Sequence, residues 1–370
     1  MKHVLLLCEY PTLNGGERSM LAVLAHVRSA GYAVAAWAPP DGPLAEMLAE
    51  RGVAIEPFFA TDSAGRRLPL ELLRRQLDDV LSRRAPDLVH ANSLSMGRLS
   101  GPVVAARGIP SLSHLRDIVG LSAQAIADLN GHRRLLAVSQ ATRDHHVAAG
   151  LDAQKVHVLH NGVDLDAFRP QPPDGGLHRE WGLAERTPLI GTIGQIGPRK
   201  GQDVLLAAAR IVLRACPNAT FLVVGQRNSG KQESIEFESR LARDAAELSG
   251  RFLLLGRRDD VPRLLREWTL LVHPARQEPL GRVLLEAAAS GTAIVATDVG
   301  GTREIFPPEQ NAARLVPPDD AQALAAAVCE LLDDPKSRDA LGHAARRRAC
   351  EAFDAKTSAA GLLRHYAELF

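Results

Sequence analysis

The chain has 370 residues, of which 46% are hydrophobic and 24% are charged. This length is more than twice that of a usual domain, so we expect two domains. The 44 lysines and arginines nearly balance the 43 acidic residues. That balance excludes a general attraction to nucleic acid or to an anionic membrane, so any basic site must be local. The composition also excludes a fibrous or disordered protein.

Cysteine usage and the first residues indicate the compartment. The four cysteines are scattered and form no Cys-x-x-Cys pair, which argues against a disulfide framework or structural zinc and favours a reducing compartment. Five apolar residues, Val4–Cys8, precede Glu9, too few for a signal peptide. No run approaches the roughly 18 apolar residues of a spanning helix. We expect a cytoplasmic protein without a transmembrane segment, with peripheral contact at the inner membrane face as the alternative.

The first half of the chain alternates short apolar runs with longer amphipathic segments. This alternation predicts a parallel sheet with helices on both faces. The first strand, Val4–Cys8, leads into a predicted turn at Asn14-Gly15-Gly16 and a helix over Glu17–Ser29. Six further strands are predicted at Ala33–Trp37, Val53–Phe58, Leu88–His90, Ser111–Ser113, Leu135–Val138 and Val156–Leu159.

The alternation stops after Phe168, where the segment Arg169–Gly176 is rich in proline and glycine and typical of a linker. From Asp319 onward the pattern is mostly helical, with breaks at Pro335 and Phe353–Lys356. Five strands are predicted between these segments, at Leu189–Ile193, Ala219–Val224, Arg251–Leu255, Leu270–His273 and Ala293–Ala296.

The predicted organisation has four parts. An N-terminal Rossmann-like domain covers residues 1–168 and a linker covers 169–186. A second Rossmann-like domain covers 187–353, and a C-terminal helix covers 354–370. Ligands of doubly wound sheets bind beyond the carboxyl ends of the strands, so the loops after strands are where chemistry is expected.

The segment His273–Gly291 is the most informative, because a strand, a polar loop and a helix beginning near Gly281 follow one another. Unpaired amides at a helix N-terminus attract anions, and a diphosphate suits them. The amides expected to take part are those of Leu280, Gly281 and Arg282. Glu286 is placed to accept hydrogen bonds from two hydroxyls of one sugar, and Glu278 from a second sugar. Helix capping alone explains acidic residues there equally well.

A second loop, Gly191–Gly201, leaves a predicted strand and enters a helix at about Gln202. Its adjacent cations Arg199 and Lys200 suit phosphate charge, and a solvated basic turn is the alternative. The glycines are spaced as GxxGxxG rather than GxGxxG, and the next strand ends in Gly225-Gln226 without an acid for a ribose. We therefore reject a dinucleotide-dependent dehydrogenase.

Together these segments resemble the retaining GT-B glycosyltransferases of family 4, also called group 1, over nearly the whole chain. The paired-glutamate motif is represented by Glu278-x-x-Gly281-x-x-x-x-Glu286-Ala287, followed by Ala289-Ser290-Gly291 and by Thr297–Ile305. Other similar segments are Asn161-Gly162-Val163-Asp164 with Phe168 and Pro170 at the hinge, the glycine loop Gly15-Gly16, and the phosphate-binding Lys200-Gly201.

The resemblance implies an α/β protein with two Rossmann-like domains facing a central cleft. It also implies that the C-terminal helix over 354–370 packs back on the first domain, and it implies a role for several residues. It implies that Glu278 contacts the transferred sugar, Glu286 the ribose and Lys200 the diphosphate. The Gly256-Arg257-Arg258 loop would lie beside the base. The predicted donor-binding residues are Gly15, Gly16, Gln195, Arg199, Lys200, Arg258, Glu278, Leu280, Gly281, Arg282 and Glu286.

The sequence departs from the family pattern at two places. Gln195 stands where the family usually has an arginine, and we infer that Arg199 supplies the missing charge. In Ser113–Asp117, Arg116 stands where the family commonly has a histidine, and His114 lies two residues earlier. Both residues join Glu278 and Lys200 as predicted catalytic residues, and which of the two occupies the family position stays open. Asn92 and Ser93, which follow a first-domain strand, are predicted to lie on the acceptor side.

Two features have a structural interpretation. Asp164-Leu165-Asp166 is similar to a metal-binding DxD element, but it follows a strand and precedes the predicted linker, so no metal site is expected. The run Arg346–Arg348 is interpreted as the solvated face of a C-terminal helix.

The predicted function is retaining, metal-independent transfer of a hexose-type sugar from a nucleoside-diphosphate sugar. UDP is the expected base and GDP the alternative, and the acceptor is a hydroxyl of a glycan, a lipid-linked or a small-molecule compound. No cofactor beyond the donor and no nucleic-acid partner is expected. Two other functions stay open: a sugar-nucleotide 2-epimerase of the same fold, which needs no acceptor, and a non-catalytic sugar-nucleotide-binding subunit.

Overall fold

A computed structural model describes all 370 residues. The chain divides into two compact units, residues 1–162 together with 355–370, and residues 163–354. Each unit contains one parallel sheet. Residues 169–186, predicted as a linker, belong to the second unit and carry the short helix Gly176–Glu180. No helix of the chain combines the length and the apolar character needed to cross a membrane.

The sheet of the first unit has seven strands in the order β3-β2-β1-β4-β5-β6-β7. These strands are β1 Lys2–Leu7, β2 Tyr32–Ala38, β3 Ala54–Pro57, β4 Leu88–Ala91, β5 Ser111–Leu115, β6 Arg134–Ala137 and β7 Val156–Val158. Six helices connect them: α1 Gly15–Ser29, α2 Pro43–Glu50, α3 Leu70–Arg84, α4 Leu94–Arg107, α5 Ala123–Asn130 and α6 Gln140–Ala148.

Strand β1 shows why the apolar runs are continuous. Its side chains alternate between the two faces of the sheet, and helices cover both faces. Val4 and Leu6 pack in one buried cluster with residues of α1. Leu5 and Leu7 pack in another with residues of α3 and α4. A central strand of this kind therefore needs apolar residues at every position.

The sheet of the second unit has six strands in the order β10-β9-β8-β11-β12-β13. These strands are β8 Leu189–Ile193, β9 Thr220–Val224, β10 Phe252–Gly256, β11 Leu270–His273, β12 Ile294–Thr297 and β13 Arg314–Val316. The α-helices of this unit are α7 Gly176–Glu180, α8 Gln202–Ala215, α9 Gln232–Ala246, α10 Val261–Glu267, α11 Arg282–Ser290, α12 Thr302–Ile305, α13 Ala321–Asp333 and α14 Pro335–Ala352.

The last helix, α15 Ala355–Ala367, belongs to the first unit, as predicted. Its Leu362 and Tyr366 lie in the buried cluster that α1 shares with β1. The Tyr366 hydroxyl lies 2.6 Å from His90 Nδ1, so a buried polar contact joins this helix to β4.

These elements confirm the predicted pair of Rossmann-like domains, with three differences of detail. Helix α1 begins at Gly15, so the predicted glycine turn is its first turn. Strand β13 has three residues and was not predicted. The predicted solvated face Arg346–Arg348 is wrong for two of its arginines. Arg346 Nη1 donates to the Phe168 carbonyl at 2.8 Å, and Arg348 Nε donates to the Ile305 carbonyl at 3.0 Å.

Candidate functional site

Two loops that follow neighbouring strands form the candidate site of the second unit. β8 and β11 pair in parallel, so the loops at their carboxyl ends lie at one edge of the sheet. Lys200 ends a short 3-10 turn, and Gly201 follows it with a φ of +65°. A Cβ at Gly201 would lie 2.0 Å from the Pro274 carbonyl oxygen. Only glycine therefore allows the lysine turn to approach the loop after β11.

Lys200, His273 and Glu278 form one contact cluster. Glu278 Oε2 accepts a hydrogen bond from Lys200 Nζ and lies 2.7 Å from His273 Nε2. The side chains of Lys200 and Glu278 are 15% and 7% exposed. The structure thus brings together two residues that the sequence placed in separate motifs, and adds a histidine.

The main chain around Glu278 is fixed from a third loop. The Gly301 amide donates to the Glu278 carbonyl at 3.0 Å. Gly300 has a φ of +53°, and a Cβ there would lie 2.0 Å from the same carbonyl oxygen. Thr297 Oγ1 donates to the Ala275 carbonyl at 2.5 Å. The position of the carboxylate is therefore set by the backbone as well as by its side-chain partners.

Opposing effects determine the protonation states of Glu278 and His273. Burial alone would raise the pKa of the Glu278 carboxyl, but the Lys200 ammonium and the hydrogen bond from His273 hold this pKa well below its ordinary value. Burial lowers the pKa of His273, and the neighbouring carboxylate offsets only part of that effect. At neutral pH the cluster thus contains a carboxylate, an ammonium and a neutral imidazole.

Helix α11 begins where the polar loop ends. Gly281 stands before its first turn with a φ of +99°, and a Cβ there would lie 2.7 Å from Leu284 Cδ1. Leu280 is buried and anchors this end of the helix. The first amides of a helix have no carbonyl one turn earlier and attract anions. The helix therefore presents its positive end beside the loop that holds Glu278.

Glu286 lies on the next turn of α11 and is 7% exposed. Its Oε1 lies 2.7 Å from Arg282 Nε, an ion pair between residues four positions apart on the helix. Its carbonyl accepts from Ser290 Oγ at 2.9 Å. The predicted ribose ligand is therefore a nearly buried carboxylate held by one arginine.

A second group of predicted residues meets in the first unit. Arg116 donates from Nε to the Asn92 carbonyl and from Nη2 to Asn92 Oδ1, both at 2.9 Å. Its Nη1 donates to Asn161 Oδ1 at 2.8 Å. A Cβ on Gly16 would lie 3.1 Å from Arg116 Cδ. The ends of β1, β4 and β5 thus contribute to one cluster around the guanidinium.

Sequence comparison now identifies the family. The pattern described as Glycosyl transferases group 1 matches residues 176–348, and the pattern described as Glycosyltransferase Family 4 matches residues 13–167. The phosphatidyl-myo-inositol mannosyltransferase of Mycolicibacterium smegmatis is 31% identical over 92% of this chain and 87% of its own length. The chain belongs to the group 1, family 4 glycosyltransferases.

Two further similarities extend this result. A GDP-mannose-dependent monoacylated alpha-(1-6)-phosphatidylinositol monomannoside mannosyltransferase of Corynebacterium glutamicum is 35% identical over 51% of this chain and 50% of its own length. The crystal structure of Anabaena HepE in complex with UDP-glucose superposes with a TM-score of 0.87 at 23% identity and covers 100% of both chains. The second similarity shows the fold, which is the GT-B fold that the sequence predicted.

Three further predicted donor residues of this glycosyltransferase have contacts within the second unit. Arg258 lies 2.5 Å from Glu180 Oε1 and makes a two-point pair with Asp260 at 2.7 and 2.8 Å. These carboxylates raise the pKa of its guanidinium. Arg199 is exposed, and its Nη1 donates to the Gln277 carbonyl at 3.2 Å. Gln195 accepts at its carbonyl from Gln202 Nε2, and its side chain is exposed.

Three further predicted residues lie in the first unit, and two of them have local structural contacts. Ser93 Oγ accepts from the Met96 amide at 3.2 Å and so caps helix α4. His114 is 5% exposed, and its ring stacks on His90 with centroids 4.9 Å apart. Burial, with the nearby Arg116, holds the pKa of His114 well below its ordinary value. Gly15 begins α1, and no atom lies within 4 Å of a Cβ placed on it.

The DxD-like element forms a local turn. Asp164 Oδ1 accepts from the amides of Asp166 and Ala167 at 2.9 and 3.0 Å. Nowhere in the chain do three His, Cys, Asp or Glu side chains gather in a way that suits a metal ion. The two hydrogen bonds that Asp164 accepts from its own turn agree with a structural interpretation of this element.

Sequence reasoning missed one member of the second-unit cluster. The sequence pattern predicts His273 only as the last residue of a strand, although it lies five residues before Glu278 and is 1% exposed. A polar residue at the carboxyl end of a buried parallel strand is the available signal, because that end of the sheet carries ligands.

Proposed function

We propose that this protein is a retaining glycosyltransferase that moves a hexose-type sugar from a nucleoside-diphosphate sugar to an acceptor hydroxyl. The observation that carries the proposal is the contact between Lys200 and Glu278 beside the N-terminus of α11. This arrangement offers a cation and helix amides to a diphosphate and a nearly buried carboxylate to the adjoining sugar.

The leaving diphosphate is the main electrostatic demand of the reaction. Lys200 and the first amides of α11 stabilise the charge that develops when the bond to the anomeric carbon breaks. Because these groups perform the task that a divalent ion performs elsewhere, the proposed reaction uses no metal and no cofactor. Arg199, on the same turn, adds positive charge to the approach of the donor.

Retention follows from where the acceptor proton goes. We assign no residue as a covalent nucleophile, and the transition state resembles an oxocarbenium ion. The departing phosphate takes the proton from the acceptor hydroxyl, so the new bond forms on the face that the phosphate left. Glu278 holds hydroxyls of the sugar during this step, and Glu286 holds the ribose.

Recognition of the acceptor is assigned to the first unit. Asn92, predicted on the acceptor side, holds the predicted catalytic residue Arg116 together with Asn161, and Gly16 leaves room beside the arginine. The acceptor classes are a glycan, a lipid-linked compound or a small molecule. A curated relative is named as acting on phosphatidyl-myo-inositol, which supports a lipid or polyol acceptor here.

The base of the donor is tested directly. We favour UDP, and the GDP-mannose dependence in the name of one relative makes GDP the competing base. A thermal-shift screen over UDP, GDP and their sugars measures which nucleotide stabilises the protein, since a ligand bound only by the folded state raises the melting temperature. Stabilisation by neither nucleotide would remove the donor assignment.

Turnover then separates the three functions. A transferase consumes the nucleotide sugar in the presence of an acceptor, and NMR of the product shows the anomeric configuration. An epimerase would convert the donor without an acceptor, and a binding subunit would do neither. Net inversion in the product would overturn the retaining assignment while leaving the transferase assignment intact.

Peripheral membrane contact is part of the proposal and rests on two exposed apolar side chains near one hairpin. Thr61 and Arg67 pair in a hairpin, and Phe59 and Leu72 on either side of it are 57% and 41% exposed. Exposed apolar residues near arginine suit an anionic lipid surface. Replacement of both by serine should reduce sedimentation with anionic vesicles, whereas serine at exposed Val119 should not. Equal sedimentation of all three proteins would remove this contact.

A further inference from the structure

His273 ends strand β11, in the interior of the sheet of the second unit. Its ring is nearly inaccessible, and Nε2 lies 2.7 Å from Glu278 Oε2. This separation is typical of a hydrogen bond to an ionised acceptor, which is about twice as strong as a neutral one. The histidine therefore touches the same carboxylate oxygen as Lys200.

The protonation state of His273 follows from its surroundings. Burial lowers its pKa, and so do the charges of Lys200 and Arg199, whereas Glu278 raises it in part. A neutral imidazole has one N–H, and a carboxylate offers acceptors only. The proton must therefore be on Nε2, where it is donated to Glu278.

The two oxygens of Glu278 have different surroundings. Both Lys200 and His273 bind Oε2, and Oε1 receives no hydrogen bond in the structure. A carboxylate oxygen has two lone pairs, so Oε1 is able to accept from hydroxyl groups of a bound sugar. The pair of donors thus sets the direction of the carboxylate as well as its charge.

Lys200 has a second task that competes with this contact. In the proposed function its ammonium binds the diphosphate, which carries more negative charge than one carboxylate. When the Lys200 ammonium turns toward the phosphates, Glu278 Oε2 loses one of its two hydrogen-bond donors. His273 lies in the interior of the sheet and is 1% exposed, so its hydrogen bond to Glu278 is shielded from the approach of the donor.

We propose that His273 is a positioning residue for glycosyl transfer: its Nε2–H holds Glu278 Oε2 so that Oε1 accepts from the transferred sugar while Lys200 serves the diphosphate. This inference rests on the proposed function. It assigns the histidine a role in the transition state through Glu278 and none in binding the free nucleotide.

Three variants test the proposal. His273→Leu removes the donor at similar size, and His273→Gln keeps an N–H donor. His132→Leu is the matched control, because His132 is also fully buried and hydrogen-bonded but lies in the first unit. We expect His273→Leu to lower kcat by about 10- to 100-fold, the loss of one hydrogen bond to a charged group. His273→Gln should recover most of this loss.

Binding and pH dependence distinguish positioning from structural damage. The dissociation constant of the free nucleoside diphosphate should change by less than about threefold in His273→Leu, because Lys200 and the helix amides remain. The acid limb of the kcat profile should move to higher pH, since the pKa of Glu278 loses one of the groups that lower it. His132→Leu should lower the melting temperature without changing kcat or the profile.

The outcomes keep the two proposals separate. Equal losses of kcat in His273→Leu and His273→Gln, or an unchanged acid limb, would overturn the positioning role. Absence of turnover by the wild-type protein would overturn the proposed function instead. ¹⁵N spectra of the His273 ring then test the hydrogen bond to Glu278 without any turnover. An Nδ1–H tautomer would be incompatible with donation to Glu278 and would overturn the positioning role.

Discussion

Arg282 Nε and Glu286 Oε1 lie 2.7 Å apart on successive turns of helix α11. Both side chains are largely buried, at 16% and 9% exposure, so the pair is shielded from solvent more than an ordinary helix surface pair. A carboxylate has about four acceptor positions, and the arginine uses one oxygen. In the proposed function, the second oxygen of Glu286 accepts hydrogen bonds from the two ribose hydroxyls.

This pair gives the first prediction. Glu286→Ala should weaken binding of the free nucleoside diphosphate by about tenfold or more, because a ribose contact contributes to the ground state and the transition state alike. Arg282→Ala should weaken it less, since it only releases the carboxylate that it orients. Isothermal titration calorimetry measures both. Unchanged affinity in Glu286→Ala would exclude the ribose assignment.

Lys200 gives the second prediction. Lys200→Met should reduce kcat/KM by about 100- to 1000-fold, the usual result of removing one group that stabilises a leaving-group charge. The same change leaves Glu278 nearly buried with a single donor, and we expect the free energy of unfolding to fall by about 1–3 kcal/mol. Steady-state rates and urea unfolding measure the two effects.

The double variant separates stability from activity. Lys200→Met combined with Glu278→Gln removes both charges, so the stability should recover toward that of the wild type. Activity should not recover, because the diphosphate still lacks its cation. Recovery of activity in the double variant would contradict the assigned role of Lys200.

The buried histidines of the first unit give the third prediction. Burial and the charge of Arg116 lower the pKa of His90 to about 3, and burial lowers the pKa of His132 to about 4. A histidine in the unfolded chain has a pKa of about 6.5. Below that pH the two histidines therefore bind protons in the unfolded chain but stay neutral in the folded chain. The contribution of these two histidines to stability is therefore fully present above pH 6.5, and it decreases as the pH falls toward the folded pKa.

The size of this effect can be measured. Between pH 7 and pH 5 each of these histidines should cost about 2 kcal/mol of unfolding free energy. Urea unfolding followed by tryptophan emission, to which Trp37 of the first unit contributes, reports the change. His132→Asn should reduce the free energy of unfolding at pH 7. It should also remove the part of the decrease between pH 7 and pH 5 that His132 causes. A decrease of unchanged size in that variant would contradict the neutral state of His132.

Several elements were predictable because local pattern determines them. Every predicted strand is present, since a parallel sheet buried on both faces demands apolar residues at nearly every position. The sequence predicts the two loops that carry Lys200 and Glu278, because ligands bind at the carboxyl ends of strands such as β8 and β11, but it does not predict the contact between them.

Other features depend on contacts that no local pattern shows. The bond from His273 to Glu278 needs a particular side-chain conformation, and a strand-end histidine has no periodic signal. Arg346 reaches the Ala289 and Phe168 carbonyls across 57 and 178 residues of sequence, so its run of arginines was mistaken for a solvated face. Strand β13 has three residues, one of which is Arg314. It is therefore too short for an alternation of apolar and polar residues to appear.

The last prediction concerns metal dependence. A metal-assisted transferase needs clustered carboxylates with open coordination positions near the diphosphate. The proposed diphosphate site instead has Lys200 and the N-terminus of α11, and Asp164 uses Oδ1 to accept from two amides of its own turn. Initial rates should therefore be equal with and without excess EDTA.

Two controls make this measurement decisive. Mild stimulation by Mg²⁺ is compatible with the prediction, because the ion relieves product inhibition by chelating the released nucleoside diphosphate. Asp166→Ala should leave the rate unchanged, since its amide and not its carboxylate contacts Asp164. Loss of activity in EDTA, with rescue by Mn²⁺ that disappears in Asp166→Ala, would place a catalytic ion at this turn and contradict the charge-stabilising role of Lys200 and α11.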